Sequence, residues 1–170
     1  MADMARPQKA AFLIALLVFL ADQLVKYWVT EVVRLRAAGL IEILPIFNLR
    51  WVENPGVSMG FLTAETDFHR WLLVIMTGLI AFGVFVWIMR ERSRAEAMIL
   101  GAVLGGALGN ILDRARLGYV VDYADLHFGG WQPFYVFNVG DAAISIGVVL
   151  LLYRAVFAKG DKPGSEVRDA

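Results

Sequence analysis

Four long apolar stretches constrain this chain more than any other feature of its sequence. The second of them, residues 71–89, contains no charged side chain. A helix rises ~1.5 Å per residue, so about 20 residues span the ~30 Å hydrocarbon core of a bilayer. The sequence therefore predicts four transmembrane helices, at about residues 10–30, 69–89, 96–113 and 140–158.

The composition excludes several other classes of protein. Apolar residues make up 59% of the 170 positions, against a usual ~45–50%. The net charge is zero, which argues against a nucleic-acid partner. The chain has no cysteine and only two histidines, so we predict no disulfide, no thiolate zinc site and no metal site built from histidines. We predict a single integral membrane domain over residues 1–170.

Basic residues cluster on flanks that the four-span topology places on one side of the membrane. Lys and Arg concentrate on the cytoplasmic side of short loops, so we predict that both termini are cytoplasmic. The opposite flanks carry arginines as well, so the bias is partial. The clusters comprise Arg6 and Lys9, then Arg90, Arg92 and Arg94, then Arg154, Lys159 and Lys162.

The segment between the first two helices contains a β region, predicted at residues 38–63. In its stretch FNLRWVEN, apolar Phe47, Leu49 and Trp51 alternate with polar residues, which is the period of a strand. The predicted fold class is thus a membrane all-α protein with a small β element, a half-embedded sheet on the extracytoplasmic face. Polar residues 160–170 are predicted to be a disordered tail.

The unusual polar residues near the predicted helices all fall at one membrane face. An isolated charge at membrane depth costs at least ~2.5–3.5 kcal/mol, so these side chains must pair, face protein or water, or serve a function. Scattered loop charges would not gather at one face. The residues are Asp22, Lys26, Asn54, Asn110, Asp113, Arg114, Asp122, Asn138 and Asp141.

Several of these residues also have a structural explanation. Asp22 and Lys26 are four residues apart on one helix face and can pair, so they either support the fold or face a substrate. Asp113 and Arg114 can form an interfacial ion pair. On the third helix, glycines at four-residue spacing predict a close helix-packing face without chemistry. These are Gly101, Gly105 and Gly109.

Asp122 and Asp141 allow a structural and a catalytic interpretation. Asp141 precedes an apolar helix and can be its N-cap, and Asp122 can close an Asx-turn. Alternatively, two aspartates that meet in a low-dielectric site cannot both stay ionised cheaply, so one holds a proton and the other stays charged. That arrangement suits the acid–base activation of water against an amide.

Four sequence boxes resemble those of the prolipoprotein signal peptidases (signal peptidase II), four-span aspartyl peptidases of the bacterial cytoplasmic membrane. The resemblance covers nearly the whole chain. In it, Asp122 of the V-V-D box and Asp141 of the F-N-x-x-D box match the catalytic aspartates. The boxes are DQLVK (22–26), NPGVSMGF (54–61), GGALGNILDRARLGYVVDY (105–123) and FNVGDAAI (137–144).

The resemblance implies removal of the signal peptide from diacylglyceryl-modified prolipoproteins, by hydrolysis on the amino side of the lipid-bearing cysteine. It implies membrane-embedded precursors and the lipid bilayer as partners, no metal or cofactor, and a monomer. The active site would lie near the extracytoplasmic face, with the sheet clamping the scissile segment. The residues expected to bind substrate or support the dyad are Asn54, Gly56, Asn110, Asp113, Arg114 and Asn138, with Asp22 and Lys26 supporting from the first helix.

Two positions depart from the family pattern. Val25 stands where Ser or Thr is usual, and Gly140 stands where Ala usually precedes the aspartate. Val25 removes a hydroxyl from the first box. Because glycine is conformationally permissive, we expect Gly140 to loosen the start of the fourth helix.

Three other function classes fit the sequence less well. A transporter predicts ionisable residues at several depths and an internal repeat, whereas the carboxylates here lie at one depth. A membrane scaffold leaves the clustered polar residues unexplained. An intramembrane serine protease needs a histidine placed to act with Ser58 or Ser145. His127 is the only candidate outside the spans, and no family motif surrounds it.

Overall fold

The computed structural model of the chain describes residues 6–56 and 67–157. Within these ranges, four helices are long and apolar enough to cross a membrane. The predicted combination of four apolar helices with a small β element is confirmed. The helices are α1 (Arg6–Tyr27, continued by a π-helical turn at Trp28–Val32), the short α2 (Leu35–Ala38), α3 (Asp67–Arg90), α4 (Arg94–Leu117) and α5 (Val139–Phe157).

Helix α4 is the centre of the bundle, because it packs against α1, α3 and α5. Its glycines explain the contact with α1. A Cβ added to Gly101 would overlap the backbone of Ala11. A Cβ added to Gly105 would overlap the backbone of Ala15. Small residues let helix backbones approach closely inside a membrane, so the predicted glycine face is confirmed.

A second close contact joins α4 to the first turn of α5. A Cβ added to Gly140 would lie 2.9 Å from the carbonyl oxygen of Gly106. The N–H of Gly140 donates to Asp22 Oδ1 at 2.9 Å, and Gly140 is buried. The expectation of a loosened helix start is therefore wrong. Packing and a hydrogen bond hold this turn, and the missing Cβ is what permits the approach.

The sheet has the order β1-β2-β3, with antiparallel neighbours throughout. The stretch FNLRWVEN forms a strand, but a register shift between Leu49 and Val52 interrupts its alternation. The strand that the alternation predicted is thus present, and the neighbouring side chains of Asn48 and Leu49 are both buried. Residues 57–63 of the predicted β region, and the predicted tail, lie outside the described residues. The strands are β1 (Leu40–Leu44), β2 (Phe47–Asn54) and β3 (Val120–Leu126).

Strand β3 follows α4, and the sequence analysis does not predict it. Gly118, with a φ of 87°, ends α4 in a left-handed conformation that glycine adopts readily. The guanidinium of Arg70 donates to the carbonyl oxygens of Arg114 and Ala115 in the last turn of α4. These contacts direct the chain from α4 into the sheet, which brings β3 beside β2.

The helix ends far from the sheet are tied to one another. Gln8 Nε2 donates to the carbonyl oxygens of Ile88 at 3.1 Å and Glu91 at 2.7 Å. Arg154 Nη2 lies 3.3 Å from Glu96 Oε1. One end of the bundle therefore carries the described members of the basic clusters, namely Arg6, Lys9, Arg90, Arg92, Arg94 and Arg154.

Candidate active site

Two acidic residues are joined by one asparagine at the sheet end of the bundle. Asp122 lies on β3, and Asp141 lies in the first turn of α5. Asn138 Nδ2 donates to Asp122 Oδ1 at 2.6 Å. The backbone N–H of Asn138 donates to Asp141 Oδ2 at 3.3 Å. Asp122 is only 2% exposed, whereas Asp141 is half-buried and lines a cavity.

The start of α5 explains how Asp141 is held. Asn138 Oδ1 accepts a hydrogen bond from the Asp141 N–H at 2.9 Å, so Asn138 is the N-cap. Asp141, at the third helical position, reaches back to the Asn138 N–H as in a capping box. The interpretation of Asp141 as the N-cap is therefore wrong. The Asx-turn interpretation of Asp122 is also wrong, because Asp122 lies inside a strand.

Asn54 holds the other side of Asp122. Its Nδ2 donates to Asp122 Oδ2 at 3.0 Å, and its Oδ1 accepts from the Gly56 N–H at 3.1 Å. Gly56 has a φ of 143°, a region that glycine enters at little cost. Because the amide oxygen of Asn54 accepts from the Gly56 N–H, its amide nitrogen is the end that faces the Asp122 carboxylate.

Asn110 holds Asp141 in the same way from α4. Its Nδ2 donates to Asp141 Oδ1 at 2.8 Å. Its Oδ1 accepts from Lys26 Nζ at 3.0 Å and from Asn138 Nδ2 at 3.2 Å. An ammonium group can only donate hydrogen bonds. Lys26 therefore determines which end of the Asn110 amide faces Asp141.

Lys26 is the centre of an ion cluster with Asp22 and Asp113. Lys26 Nζ lies 2.7 Å from Asp22 Oδ2 and 2.8 Å from Asp113 Oδ2, and none of the three side chains is more than 6% exposed. Asp113 also accepts from the Val121 N–H on β3 at 3.2 Å. Buried charges persist when they are paired and hydrogen-bonded. Asp113 pairs with Lys26 rather than with Arg114, so the predicted Asp113–Arg114 ion pair is wrong.

Arg114 approaches the two aspartates from the end of α4. Its guanidinium is attracted electrostatically by Asp141 and Asp122. Its Nε is buried and has no hydrogen-bond partner within the described ranges. A buried donor without a partner is costly, which makes Arg114 a candidate for a role in the site.

Burial and the neighbouring Asp141 charge raise the pKa of Asp122 to about 7. The hydrogen bonds from Asn54 and Asn138, and the charge of Lys26, act in the opposite direction. Burial lowers the polarity around a carboxyl and disfavours its charged form, and a second carboxylate adds to this effect. At neutral pH, the protonated form of Asp122 is therefore favoured much more than in an ordinary exposed carboxyl group.

Comparison with known proteins assigns the chain to a family. The sequence pattern of the family described as signal peptidase (SPase) II matches residues 14–157. The chain belongs to the signal peptidase II family. The resemblance predicted from the four boxes is thereby confirmed, and membership makes the chain a peptidase, a hydrolase.

Two relatives of this signal peptidase II chain are named lipoprotein signal peptidase. The protein of Rhizorhabdus wittichii is 55% identical over 159 residues, covering 94% of this chain and 92% of the relative. The protein of Sphingopyxis alaskensis is 49% identical over 150 residues, covering 88% of this chain and 86% of the relative.

A solved structure described as a bacterial membrane enzyme shares the fold of this signal peptidase II chain. It superposes with a TM-score of 0.77 at 26% identity, covering 94% of this chain and 95% of the other. A second structure with the same description has a TM-score of 0.74 at 26% identity, covering 88% of this chain and 94% of the other. Together with the four apolar helices, this makes the chain a multi-pass bacterial membrane protein.

The structure brings most of the residues predicted for the signal peptidase II site into one hydrogen-bonded network. Asn138 and Asn110 join the aspartate pair, and Lys26 joins Asn110 to the ion cluster. Gly56 contributes through its bond to Asn54. Within residues 6–56 and 67–157, no group of three or more His, Cys, Asp or Glu side chains could hold a metal ion.

The sequence analysis missed two residues that belong to this network. Gln23 Nε2 donates to Asp22 Oδ2 and Asp113 Oδ1, both at 3.2 Å, and its position inside the first box was a usable signal. The Tyr123 hydroxyl accepts from the Val139 N–H at 3.3 Å. Tyr123 closes the third box, so its position was a signal as well, but its contact with the start of α5 depends on the tertiary structure.

Proposed function

We propose that this chain is an aspartyl endopeptidase that removes the signal peptide from diacylglyceryl-modified prolipoproteins, with Asp122 and Asp141 as its catalytic pair. The single observation that carries the proposal is the Asn138 bridge, which holds one buried carboxyl on a strand against another in a helical first turn. The substrate class rests on relatives named lipoprotein signal peptidase.

The two carboxyl groups have environments suited to different roles. Asp141 accepts hydrogen bonds from Asn110 and from a helix N-terminal N–H, and the helix dipole favours its charged form. Asp122, whose pKa is raised to about 7, is the proton donor. Pairs of titratable groups with opposed environments are typical of acid–base catalysis.

The reaction follows from these roles. Asp141 takes a proton from water as the water oxygen bonds to the scissile carbonyl carbon, while Asp122 protonates the carbonyl oxygen. The resulting neutral diol then collapses. Its C–N bond breaks, the cysteine amine leaves with the proton from Asp141, and a diol hydroxyl returns a proton to Asp122. Arg114, with its buried Nε, and the amides of the site orient the dyad and hold the substrate backbone.

The membrane arrangement supports access by a lipid-bearing precursor. A cavity of about 450 Å³ lies beside Asp141 and is lined mostly by apolar residues of α5 and the segment before it. Because the basic clusters lie at the opposite end of the bundle, the positive-inside rule places both termini in the cytoplasm and the aspartates near the extracytoplasmic face. In this proposal the chain acts as a monomer, and the sheet clamps the scissile segment.

The proposed function is tested with purified full-length protein and a synthetic diacylglyceryl-modified precursor. We expect one cut, with a product that begins at the lipid-bearing cysteine, identified by mass spectrometry. The same precursor without the diacylglyceryl group is the control and should be cut at least about tenfold more slowly. Cleavage at another bond, or equal cleavage of both precursors, would contradict the proposal.

Asn54→Ala is expected to shift the alkaline limb of the activity profile to higher pH. The Asn54 amide favours the charged form of Asp122, so its loss raises the Asp122 pKa above about 7. Asp122 then keeps its catalytic proton to higher pH, even though the maximal rate falls. The measurement is kcat/KM against pH, which reports the free enzyme. An unmoved limb, or one moved to lower pH, would exclude Asp122 as the proton donor.

The same raised pKa has a consequence for stability. Asp122 binds its proton more tightly in the folded chain, at a pKa of about 7, than at its ordinary value of 3.8. The folded state therefore holds more protons across that interval. The contribution of Asp122 to the free energy of unfolding falls as pH rises from about 4 to about 7, and it is constant above that.

A further inference from the structure

A second cavity adjoins the one beside Asp141 and differs from it in chemistry. This cavity, which we call the polar pocket, has a volume of about 400 Å³ and is lined by Arg50, Val52, Asp125 and residues 132–136. It shares Phe134 and Tyr135 with the apolar cavity. The two cavities therefore adjoin at these two side chains, and the apolar cavity also contacts Asp141.

The polar pocket contains a charge pair that the proposed mechanism does not use. Asp125 is 1% exposed, and its Oδ2 lies 2.9 Å from Arg50 Nε. The Arg50 side chain is 42% exposed. Gln132 Nε2 donates to Asp125 Oδ1 at 3.3 Å. Asp125 is thus a buried anchor for Arg50, which lines the pocket, stays partly exposed and has five guanidinium donors.

The pocket lies a short peptide length from the catalytic pair. Val52, in its lining, is opposite Asp122 in the β2–β3 register. Asp125 is three residues further along β3, which is about 10 Å in a strand. An extended substrate that ran from Asp122 toward Leu126 would bring its second and third residues beyond the scissile bond near Arg50.

We propose that the polar pocket binds the segment that follows the lipid-bearing cysteine, and that Arg50, positioned by Asp125, gives the enzyme a preference for acidic side chains there. The inference rests on the proposed function. The apolar cavity runs along α5 and suits the membrane-embedded part of the substrate. The charged pocket suits the part that leaves the membrane, since water-exposed peptide is polar and arginine binds carboxylates and carbonyl oxygens well.

The test uses diacylglyceryl-modified precursors that differ only at the second and third positions after the scissile bond, which carry Asp, Ser or Lys. We expect the wild-type enzyme to cleave the Asp form about fivefold more efficiently than the Lys form, the size expected for a partly exposed charge contact. Arg50→Gln should reduce this ratio to about one. Because both rates come from one preparation, the ratio does not depend on the folded fraction.

Two further variants sharpen the test. Asp125→Asn removes the charge that neutralises Arg50, so the Asp-to-Lys ratio should rise, opposite to the effect of Arg50→Gln. Arg36→Gln is the matched control, because Arg36 of α2 pairs with Glu53 of β2 at 2.9 Å, is 67% exposed and does not line the pocket. It should leave the ratio unchanged.

The outcomes separate the inference from the proposed function. If wild type shows no preference, or if Arg50→Gln slows all three precursors equally, Arg50 is structural and the inference is overturned. The inference also fails if Arg50→Gln leaves the Asp-to-Lys ratio unchanged and alters only how the cleavage rate depends on anionic lipid vesicles. In that case Arg50 binds lipid headgroups rather than the precursor. If wild type cleaves no diacylglyceryl-modified precursor, the proposed function fails and the inference fails with it.

Discussion

Replacing either Asp122 or Asp141 by asparagine is expected to lower precursor cleavage by at least about a thousandfold, since loss of an acid–base group typically costs 10²–10⁴ in rate and members of a catalytic unit are not additive. Asparagine keeps the size and most of the hydrogen bonding of aspartate. The change therefore removes the charge and the exchangeable proton. The measurement is kcat/KM on a diacylglyceryl-modified precursor.

The controls separate chemistry from folding. Asp67→Asn changes an aspartate whose side chain is 91% exposed at the start of α3, and it should cleave at the wild-type rate. Each variant is compared with wild type by thermal unfolding. The double variant Asp122→Asn/Asp141→Asn should be no slower than either single variant, because the pair acts as a unit. A folded single variant that retains near wild-type cleavage would remove that residue from the catalytic pair.

Lys26→Met is expected to cause the largest loss of stability. The change leaves the carboxylates of Asp22 and Asp113 buried without their cation, at 0% and 6% exposure. Removing one partner from a buried ion pair costs about 3–5 kcal/mol. For a chain of this size, this lowers the unfolding temperature by roughly 10 °C. Cleavage by the remaining folded protein should also fall, because Asn110 loses the donor that orients its amide.

Two variants identify the cause of this loss. Adding Asp22→Asn and Asp113→Asn to Lys26→Met removes the buried charges and should recover part of the unfolding temperature, but not the cleavage rate. Arg36→Met breaks an exposed pair between α2 and β2, worth only ~0–1 kcal/mol, and should barely change stability. If the triple variant is no more stable than Lys26→Met, the uncompensated charge is not the reason for the loss.

The two departures from the family pattern, Val25 and Gly140, have structural roles that the residue type alone does not predict. From the sequence, glycine before Asp141 indicates a flexible backbone. In the structure, Gly140 is the point where α5 meets Gly106 of α4, and its N–H binds Asp22. Val25, which lacks the expected hydroxyl, packs instead against the apolar cluster under the sheet. Both outcomes depend on neighbours that are remote in sequence.

The sequence by itself determined the four spans, the strand at Phe47–Asn54 and the polar residues that gather at one end, because the length and period of apolar residues are local properties. Tertiary structure alone decided which of those residues meet. Asn54 reaches Asp122 across 68 positions, and Asp22 reaches Gly140 across 118. Such contacts exist because glycines let α4 approach α1 and α5, and because β3 returns to the sheet. Close approach is a property of packed pairs, which no single segment encodes.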